Sequence, residues 1–270
     1  MLTQELDVQY GAKRIFKNTL SDIENFIVWA SKKLDDTSLP TLFVVEATGV
    51  YYENLAYILS DTNLRVSVLL PNKAKAFAVS LDTKSKTDEL DAIMLCRMGL
   101  ERTLPVWRAP DTTLREIKLL TRERSQYQKK KTVAMNQLHA YKSGFGIPKV
   151  IIERLEQEIE FLFGTIEIIE QQLSALVEQE KELKQTIDRI TKVPGLGAIS
   201  VLTVLAETNN FSLVNNIKQL VSYSGLDVQL NQSGKSSKRA RISKKGHRFL
   251  WIKQVMEYNF FHIFYFLEHI

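Results

Sequence analysis

The sequence predicts an α/β domain, then a long helical coiled-coil hairpin, then a small all-α domain. Three observations carry this reading. Strand-like and helix-like patterns alternate through residues 1–108. Apolar residues recur at alternating threes and fours from Ile152 to Ile190. A Pro-Gly turn and an acid-free basic segment follow. The expected boundaries are therefore 1–108, 109–190 and 191–270.

In the first region, Asp7–Tyr10 and Arg14–Phe16 read as a hairpin through Gly11. Asp22–Leu34 reads as an amphipathic helix, with Ile23, Phe26, Ile27 and Ala30 on one side and Ser21 as its cap. The run Thr41-Leu42-Phe43-Val44-Val45 is short, apolar and β-branched, and Ala47-Thr48-Gly49 stops it. It reads as a buried strand that leaves Glu46 at its end. A helix over Tyr51–Leu59 and a second strand over Arg65–Leu70 complete a mixed sheet domain, which Pro105 and Pro110 close.

The acids of this region suggest chemistry. Thr87-Asp88-Glu89-Leu90-Asp91 opens a helical segment, Ala92–Leu100, and a spacing of three puts Asp88 and Asp91 on one helix face. Like charges so placed repel. A hard divalent cation shared with Glu46 would compensate them and activate water or a hydroxyl against a phosphodiester. The carboxylates would then lie roughly 4–8 Å apart, given oxygen–metal distances of about 2.0–2.6 Å. The structural alternative makes Asp88 a helix cap and Asp91 a first-turn acid, where orphan amides and the helix dipole favour negative charge. Glu46 is then a solvated strand end.

The second region is helical over 111–190. Its seam runs through Ile152, Leu155, Ile159, Leu162, Ile166, Ile169, Leu173 and Leu176. Glu180 interrupts it, and Leu183, Ile187 and Ile190 resume it, in a coiled-coil pattern. A broken stripe precedes it through Leu114, Ile117, Leu120, Tyr127, Ala134, Leu138 and Tyr141. Ser143-Gly144-Phe145-Gly146-Ile147-Pro148 breaks the two apart, so an antiparallel hairpin is expected. A seam this long exposes apolar surface if left alone, which suits pairing with another copy. Lys129-Lys130-Lys131 is either a phosphate contact or a solvated helix face.

In the third region, Val193-Pro194-Gly195-Leu196-Gly197 precedes a helical stretch, Ala198–Glu207. It is either an ordinary turn between packed helices or a helix-hairpin-helix-like turn whose following amides meet a phosphate. Ser233–Arg248 carries Lys235, Lys238, Arg239, Arg241, Lys244, Lys245 and Arg248 with no acid. It suits a nucleic-acid backbone, the alternative being a solvated loop.

Composition sets bounds. The formal net charge is +5, a modest lean toward polyanions. A single cysteine, Cys96, excludes an internal disulfide framework and fits a reducing cytoplasmic setting. Its apolar helical surroundings suggest a buried thiol. His139, His247, His262 and His269 show no metal-ligand spacing. No apolar run is long enough to span a bilayer, so no membrane partner is expected. Phe260–Leu267 is too short for that and reads as a core or interface piece.

Several ordered motifs now resemble one family. Val45-Glu46-Ala47-Thr48-Gly49-Val50-Tyr51, Lys84-Ser85-Lys86-Thr87-Asp88-Glu89-Leu90-Asp91-Ala92, the Val193–Gly197 turn, Ser224-Gly225-Leu226, Ser233-Gly234-Lys235 and Ile242-Ser243-Lys244-Lys245-Gly246 look like the DEDD-type transposases of the IS one-ten family of insertion sequences. The resemblance covers most of residues 6–250. It implies a RuvC-like, ribonuclease H-type first domain in which Glu46, Asp88 and Asp91 match the last three of an Asp, Glu, Asp, Asp set that holds Mg²⁺ (or Mn²⁺). It implies that Ser233 is the nucleophile that joins covalently to DNA, with Ser224, Ser236 and Ser237 as neighbouring candidates. The implied function is DNA transposition and recombination by strand cleavage and exchange. The implied partners are DNA, a structured guide RNA and further copies of the chain. The alternatives are an inactive nucleic-acid-binding remnant and a RuvC-type nuclease that activates water without a serine.

Leu6-Asp7-Val8 aligns with the family's second strand, so the family's first aspartate would precede Met1, and Asp7 does not take its role. The tail Tyr258–Leu267 departs from the family pattern. The expectation is a chain truncated at both ends, with little or no recombination activity.

Overall fold

Residues 13–34, 40–81, 87–214, 216–229, 232–233, 236–237, 241–242, 246–247 and 249–250 are described by the computed structural model. They fall in two units, Met1–Ala109 and Pro110–Ile270.

In the first unit, helix α1 spans Leu20–Leu34. Thr19, not Ser21, caps it: its Oγ1 accepts from the Asp22 amide at 3.3 Å, and Asp22 Oδ2 accepts from the Lys17 amide at 3.1 Å. A cap must stand before the first turn to reach the amide three residues on, and Ser21 is already inside it. Arg14–Phe16 forms no strand. Phe16 instead packs its ring on Phe26 and Trp29, with centroids 5.4 and 5.7 Å away. Asp7–Tyr10 lies outside the described residues.

Strand β1 (Phe43–Glu46), helix α2 (Glu53–Asp61) and strand β2 (Val66–Leu69) follow. The strands are parallel, in register from Phe43 opposite Val66 to Glu46 opposite Leu69. Parallel neighbours need a crossover, and α2 supplies it. β1 starts two residues later than expected and is half-buried, whereas Val66, Ser67 and Leu69 of β2 are buried. Among the described residues β1 is paired along one edge only, by β2.

Helix α3 (Pro71–Ser80) was not foreseen in the sequence; Pro71 takes its first turn, where a missing N–H costs nothing. Helix α4 spans Asp88–Glu101. Leu69, Ala74, Phe77, Met94 and Met98 form the core between these elements. A Cβ on Gly99 would stand 2.9 Å from Val44 Cγ2, so glycine lets α4 approach β1. Cys96 is exposed, against expectation. Met94 and Met98 take the core face four residues apart, which turns Cys96 between them outward.

In the second unit, helix α5 spans Thr112–Lys142, and Asp111 Oδ1 caps it by accepting from the Thr113 and Leu114 amides at 2.9 and 3.1 Å. Helix α6 spans Lys149–Gln179. Ion pairs Lys142–Glu156 beside the link and Arg124–Glu170 farther from it, each 2.6 Å, fix an antiparallel hairpin. Leu155, Leu162, Ile166, Ile169 and Leu173 of the expected seam are buried, as are Ile117 and Ala134 of α5. At Glu180 the backbone itself opens, to φ −109° and ψ 94°, and helix α7 (Lys181–Ile190) begins. The seam is therefore not one continuous helix. Ile187 and Ile190 instead return to the cluster that holds Ile169 and Leu173.

A tight turn joins α7 to helix α8 (Ala198–Glu207). The Leu196 amide donates to the Val193 carbonyl at 3.1 Å, and Gly195 has φ +88°. Proline followed by a left-handed residue is type II turn chemistry, which glycine meets without strain. Helix α9 (Ile217–Tyr223) starts at Asn216, whose Oδ1 accepts from the Gln219 amide at 2.9 Å.

The last region is not all-α. Strand β3 (Val228–Gln229) pairs antiparallel with β6 (Arg241–Ile242), and β4 (Gln232–Ser233) pairs antiparallel with β5 (Ser236–Ser237). Ser233 stands opposite Ser236, with Gly-Lys between them in sequence. A two-residue spacing with glycine first is a hairpin signature, masked here by the basic composition. Leu250 is buried with Val204, Val214 and Leu220. Among the described residues, no helix is long and apolar enough to cross a membrane.

Candidate active site

The acidic residues of the first unit lie on α4 and β1. Thr87 caps α4, its Oγ1 accepting from the Leu90 amide at 3.2 Å. Asp88 is therefore the first helical residue and not the cap. Asp91 sits on the same face, half-buried, while Asp88 is exposed. Glu46 ends β1, also half-buried, with Thr48 Oγ1 3.5 Å from its Oε1. Lys13 pairs with Glu89 between the two aspartates. Among the described residues no cation pairs with Glu46, Asp88 or Asp91. No group of three His, Cys, Asp or Glu side chains among them is gathered closely enough to hold a metal ion. The three acids are oxygen donors of the right kind for a hard divalent cation, and no cation among the described residues compensates their charge. They are not assembled as a ligand set.

In the second unit, Ser233 is the last residue of β4. Ser224, a neighbouring candidate, is buried and donates its hydroxyl to the Leu220 carbonyl at 2.6 Å. It terminates α9: Gly225 has φ +76°, and the Gly225 and Leu226 amides donate to the Ser222 and Val221 carbonyls. That is a Schellman ending, so Ser224 serves the helix. Arg241 lies exposed in β6; Lys235, Lys238, Arg239, Lys244, Lys245 and Arg248 lie outside the described residues. On α5 and α6, Lys130 stands 4.9 Å from the Tyr127 ring and Lys131 4.0 Å from the Phe163 ring.

A third cluster was not read from the sequence. Glu207, at the end of α8, is 0% exposed. Arg122 of α5 grips it with both prongs, Nε to Oε1 at 2.7 Å and Nη2 to Oε2 at 2.9 Å. Lys118 Nζ lies 3.5 Å and His247 Nε2 3.4 Å from Oε2. The His247 ring stacks on Tyr223 at 5.3 Å, and its amide donates to the Tyr223 carbonyl at 2.7 Å. Burial pushes the His247 pKa below its ordinary value; Glu207 opposes this, and Arg122 and Lys118 add to it. A carboxylate oxygen accepts hydrogen bonds, so the neutral tautomer that suits this 3.4 Å approach carries its N–H on Nε2. That leaves Nδ1, which is buried without a hydrogen-bond partner among the described residues. The signal in the sequence was an acid closing an otherwise apolar helix, Val204-Leu205-Ala206-Glu207.

Two sequence motifs meet beside this cluster. A Cβ on Gly246 would fall 2.0 Å from the Gly225 amide nitrogen and 2.1 Å from the Ser224 carbonyl carbon. The glycines of Ser224-Gly225-Leu226 and Lys245-Gly246 thus pack backbone on backbone.

Comparison with known proteins fits this arrangement. Residues 8–142, half of the chain, match the DEDD family model of IS110 type, described as Transposase. Residues 187–251 match the model described as Transposase IS116/IS110/IS902 family. The chain is 26% identical over 237 residues to the pilin gene-inverting protein of Moraxella bovis, an overlap of 86% of this chain and 70% of that one. The pilin gene-inverting protein of Moraxella lacunata matches with the same figures. With the acids of its first unit inside the first match and Ser233 inside the second, the chain belongs to the IS110 family of transposases, enzymes of DNA recombination.

Proposed function

We propose that the chain cleaves and rejoins DNA strands with Ser233 as nucleophile, and that Glu46, Asp88 and Asp91 are ligands of a divalent cation, Mg²⁺ or Mn²⁺. The observation that carries this is the acid set on β1 and the first turn of α4, which pairs with no cation among the described residues and lies inside the stretch matched by the DEDD model. Bound there, the cation would neutralise charge developing on the phosphate oxygens. Ser233 Oγ attacks phosphorus, the Oγ–P bond forms, the bond from phosphorus to a sugar oxygen breaks, and that oxygen leaves with a proton. A strand hydroxyl then reverses the step on a new partner. Lys235, Lys238, Arg239, Arg241, Lys244, Lys245 and Arg248 track the phosphates. The α7–α8 turn acts as a helix-hairpin-helix contact, offering α8 amides to phosphate.

The first region is taken as RuvC-like. The relatives' name refers to inverting a gene, and exchange between paired sites is the corresponding reaction here. Such exchange calls for more than one copy. Val133, Met135, Phe161, Phe163 and Ile168, exposed on α5 and α6, offer apolar surface for a coiled-coil pairing of copies. A structured guide RNA is the further partner.

The test incubates the full chain with duplex DNA carrying the ends of its element, the element's RNA and Mg²⁺, and looks for a covalent protein–DNA adduct. Ser233→Ala should abolish the adduct, and Asp91→Asn should reduce it at least tenfold. Cleavage that persists in Ser233→Ala without adduct identifies a water-activating nuclease. DNA binding without cleavage in the unaltered chain identifies a binding remnant.

A further inference from the structure

The stretch with Ser233 is held at both ends, and the outer end is held at the buried Glu207 carboxylate and its partners. β3 and β6 pair around the β4–β5 hairpin. Before β3, the Schellman turn at Gly225 fixes the end of α9. After β6, Gly246 rests on that same turn. His247 stacks on Tyr223 and reaches Glu207, and Phe249 lies under the Arg122 guanidinium at 4.6 Å from its ring centre. Glu207 is thus the point where α5, α8 and the chain beyond the hairpin are tied together.

The backbone marks the same spot. Immediately after Glu207, Asn209, Asn210 and Phe211 have φ of +50°, +51° and +60°. Left-handed backbone is costly for a residue as bulky as Phe, and it persists only where surroundings enforce it. Here Thr208 enforces it: buried, with Oγ1 donating to the Val204 carbonyl at 2.7 Å and accepting from the Phe211 amide at 3.1 Å. The turn sends the chain away from α8 within a few residues, so Glu207 stays inside the unit.

We propose that Glu207 is a positioning residue for the reaction: through Arg122 and His247 it fixes the chain that leaves β6, and so sets where the Ser233 hairpin is presented. The link has a chemical requirement. Lys118 and Arg122 already give Glu207 two cations, so His247 meets it as a neutral N–H donor. A proton added to the buried Nδ1 would bring a third positive charge to the cluster with no acceptor for that N–H among the described residues. Among the described residues, the titratable and charged groups that face His247 are Glu207 from α8, Lys118 and Arg122 from α5, and Tyr223 from α9, with the Phe249 ring beside them. Acidification should therefore release the outer end of the hairpin.

The proposal rests on reading Ser233 as the nucleophile, and its test separates the two. Amide hydrogen exchange on the full chain compares the unaltered protein with Glu207→Gln, His247→Ala and His247→Gln. The Gln amide can stand in for the imidazole Nε2–H, so His247→Gln is the rescue. The expected result is exchange at least tenfold faster over residues 226–250 in Glu207→Gln and His247→Ala, with α6 unchanged and His247→Gln near the unaltered chain. Between pH 7.5 and 5.5, with intrinsic exchange corrected for, the unaltered chain should lose protection there and His247→Gln should not. Unchanged protection in both disrupted variants overturns the proposal, as does loss spread equally over α5 to α8 with no rescue. The adduct assay reads the serine independently. If Ser233→Ala still forms the adduct, the nucleophile is misassigned even when the exchange results hold.

Discussion

Gly246 has room on its Cα for hydrogen only. The obstacle at 2.0 Å is backbone, so a side chain cannot turn aside. Gly246→Ala should cost about 1–3 kcal/mol, the usual range for overpacking, and fall at the upper end of it. Urea unfolding midpoints would measure this, with Gly197→Ala, where a Cβ meets nothing within 4 Å, as control. His247 supplies a pH dependence with a definite sign. Its native pKa is lowered from 6.5, so the unfolded chain takes up the proton first. Its contribution to stability is complete above pH ~6.5 and is lost as pH falls from there through the native value, by at most about 1.4 kcal/mol per pH unit. Stability measured from pH 8 to 5 should fall more steeply in the unaltered chain than in His247→Gln. Neither residue was legible as a site. Glu207 stands 85 residues from Arg122, and one chain read along its length does not disclose a partner that far away. The glycine motifs were visible as motifs, but not as two halves of one backbone contact.

Thr87 is where an element carries the acidic site. Its hydroxyl closes the first turn of α4, from which both Asp88 and Asp91 project. Thr87→Ala should cost roughly 1 kcal/mol, the typical worth of a cap, with Thr87→Ser nearly neutral. If Asp88 and Asp91 hold a cation, fraying that turn should also weaken Mn²⁺ binding severalfold, a change that titration calorimetry reads directly. The elements differ in how plainly their sequences announce them. α5 and α6 were legible because a long stripe at helical period and a Gly/Pro-rich break leave little choice. β1, α2 and β2 were found within one or two residues because short apolar runs alternate with turn signals. α3 was missed: Asn72-Lys73-Ala74-Lys75-Ala76 has little apolar pattern, and burial of Ala74 and Phe77 decides it. The break at Glu180 is likewise set by packing, because Ile187 and Ile190 must turn back to the α5–α8 core while the spacing itself runs on. The short ladders around Ser233 were hidden by composition. Serine, lysine and arginine in strands of two residues give no apolar alternation to count.

At the scale of the whole molecule, the net charge of +5 is too small to bind a polyanion by itself. What matters is where the charge is placed. Two basic stretches compete for the role. Lys129–Lys131 lies on α5, and two of its three ammonium groups already stand over aromatic rings, Lys130 on Tyr127 and Lys131 on Phe163. Those rings hold the stems along the helix pair and reduce the reach of the charges. The other stretch, residues 235–248, joins the β4–β5 hairpin to the Glu207 anchor, and Arg241, exposed in β6, is its described cation. The second stretch should therefore dominate binding. Removing a side chain that neutralises one phosphate lowers the slope of log affinity against log salt by about 0.9 on duplex DNA. Changing Lys238, Arg239 and Arg241 together to Ala should reduce the slope by about 2.7 if all three touch phosphate. Changing Lys129, Lys130 and Lys131 together should reduce it by less than about 1, the worth of a single neutralised phosphate. Fluorescence anisotropy on a labelled duplex across 50–300 mM salt would separate the two. A larger drop in slope for the α5 triple variant would move the DNA path onto the helical hairpin and away from the proposed serine.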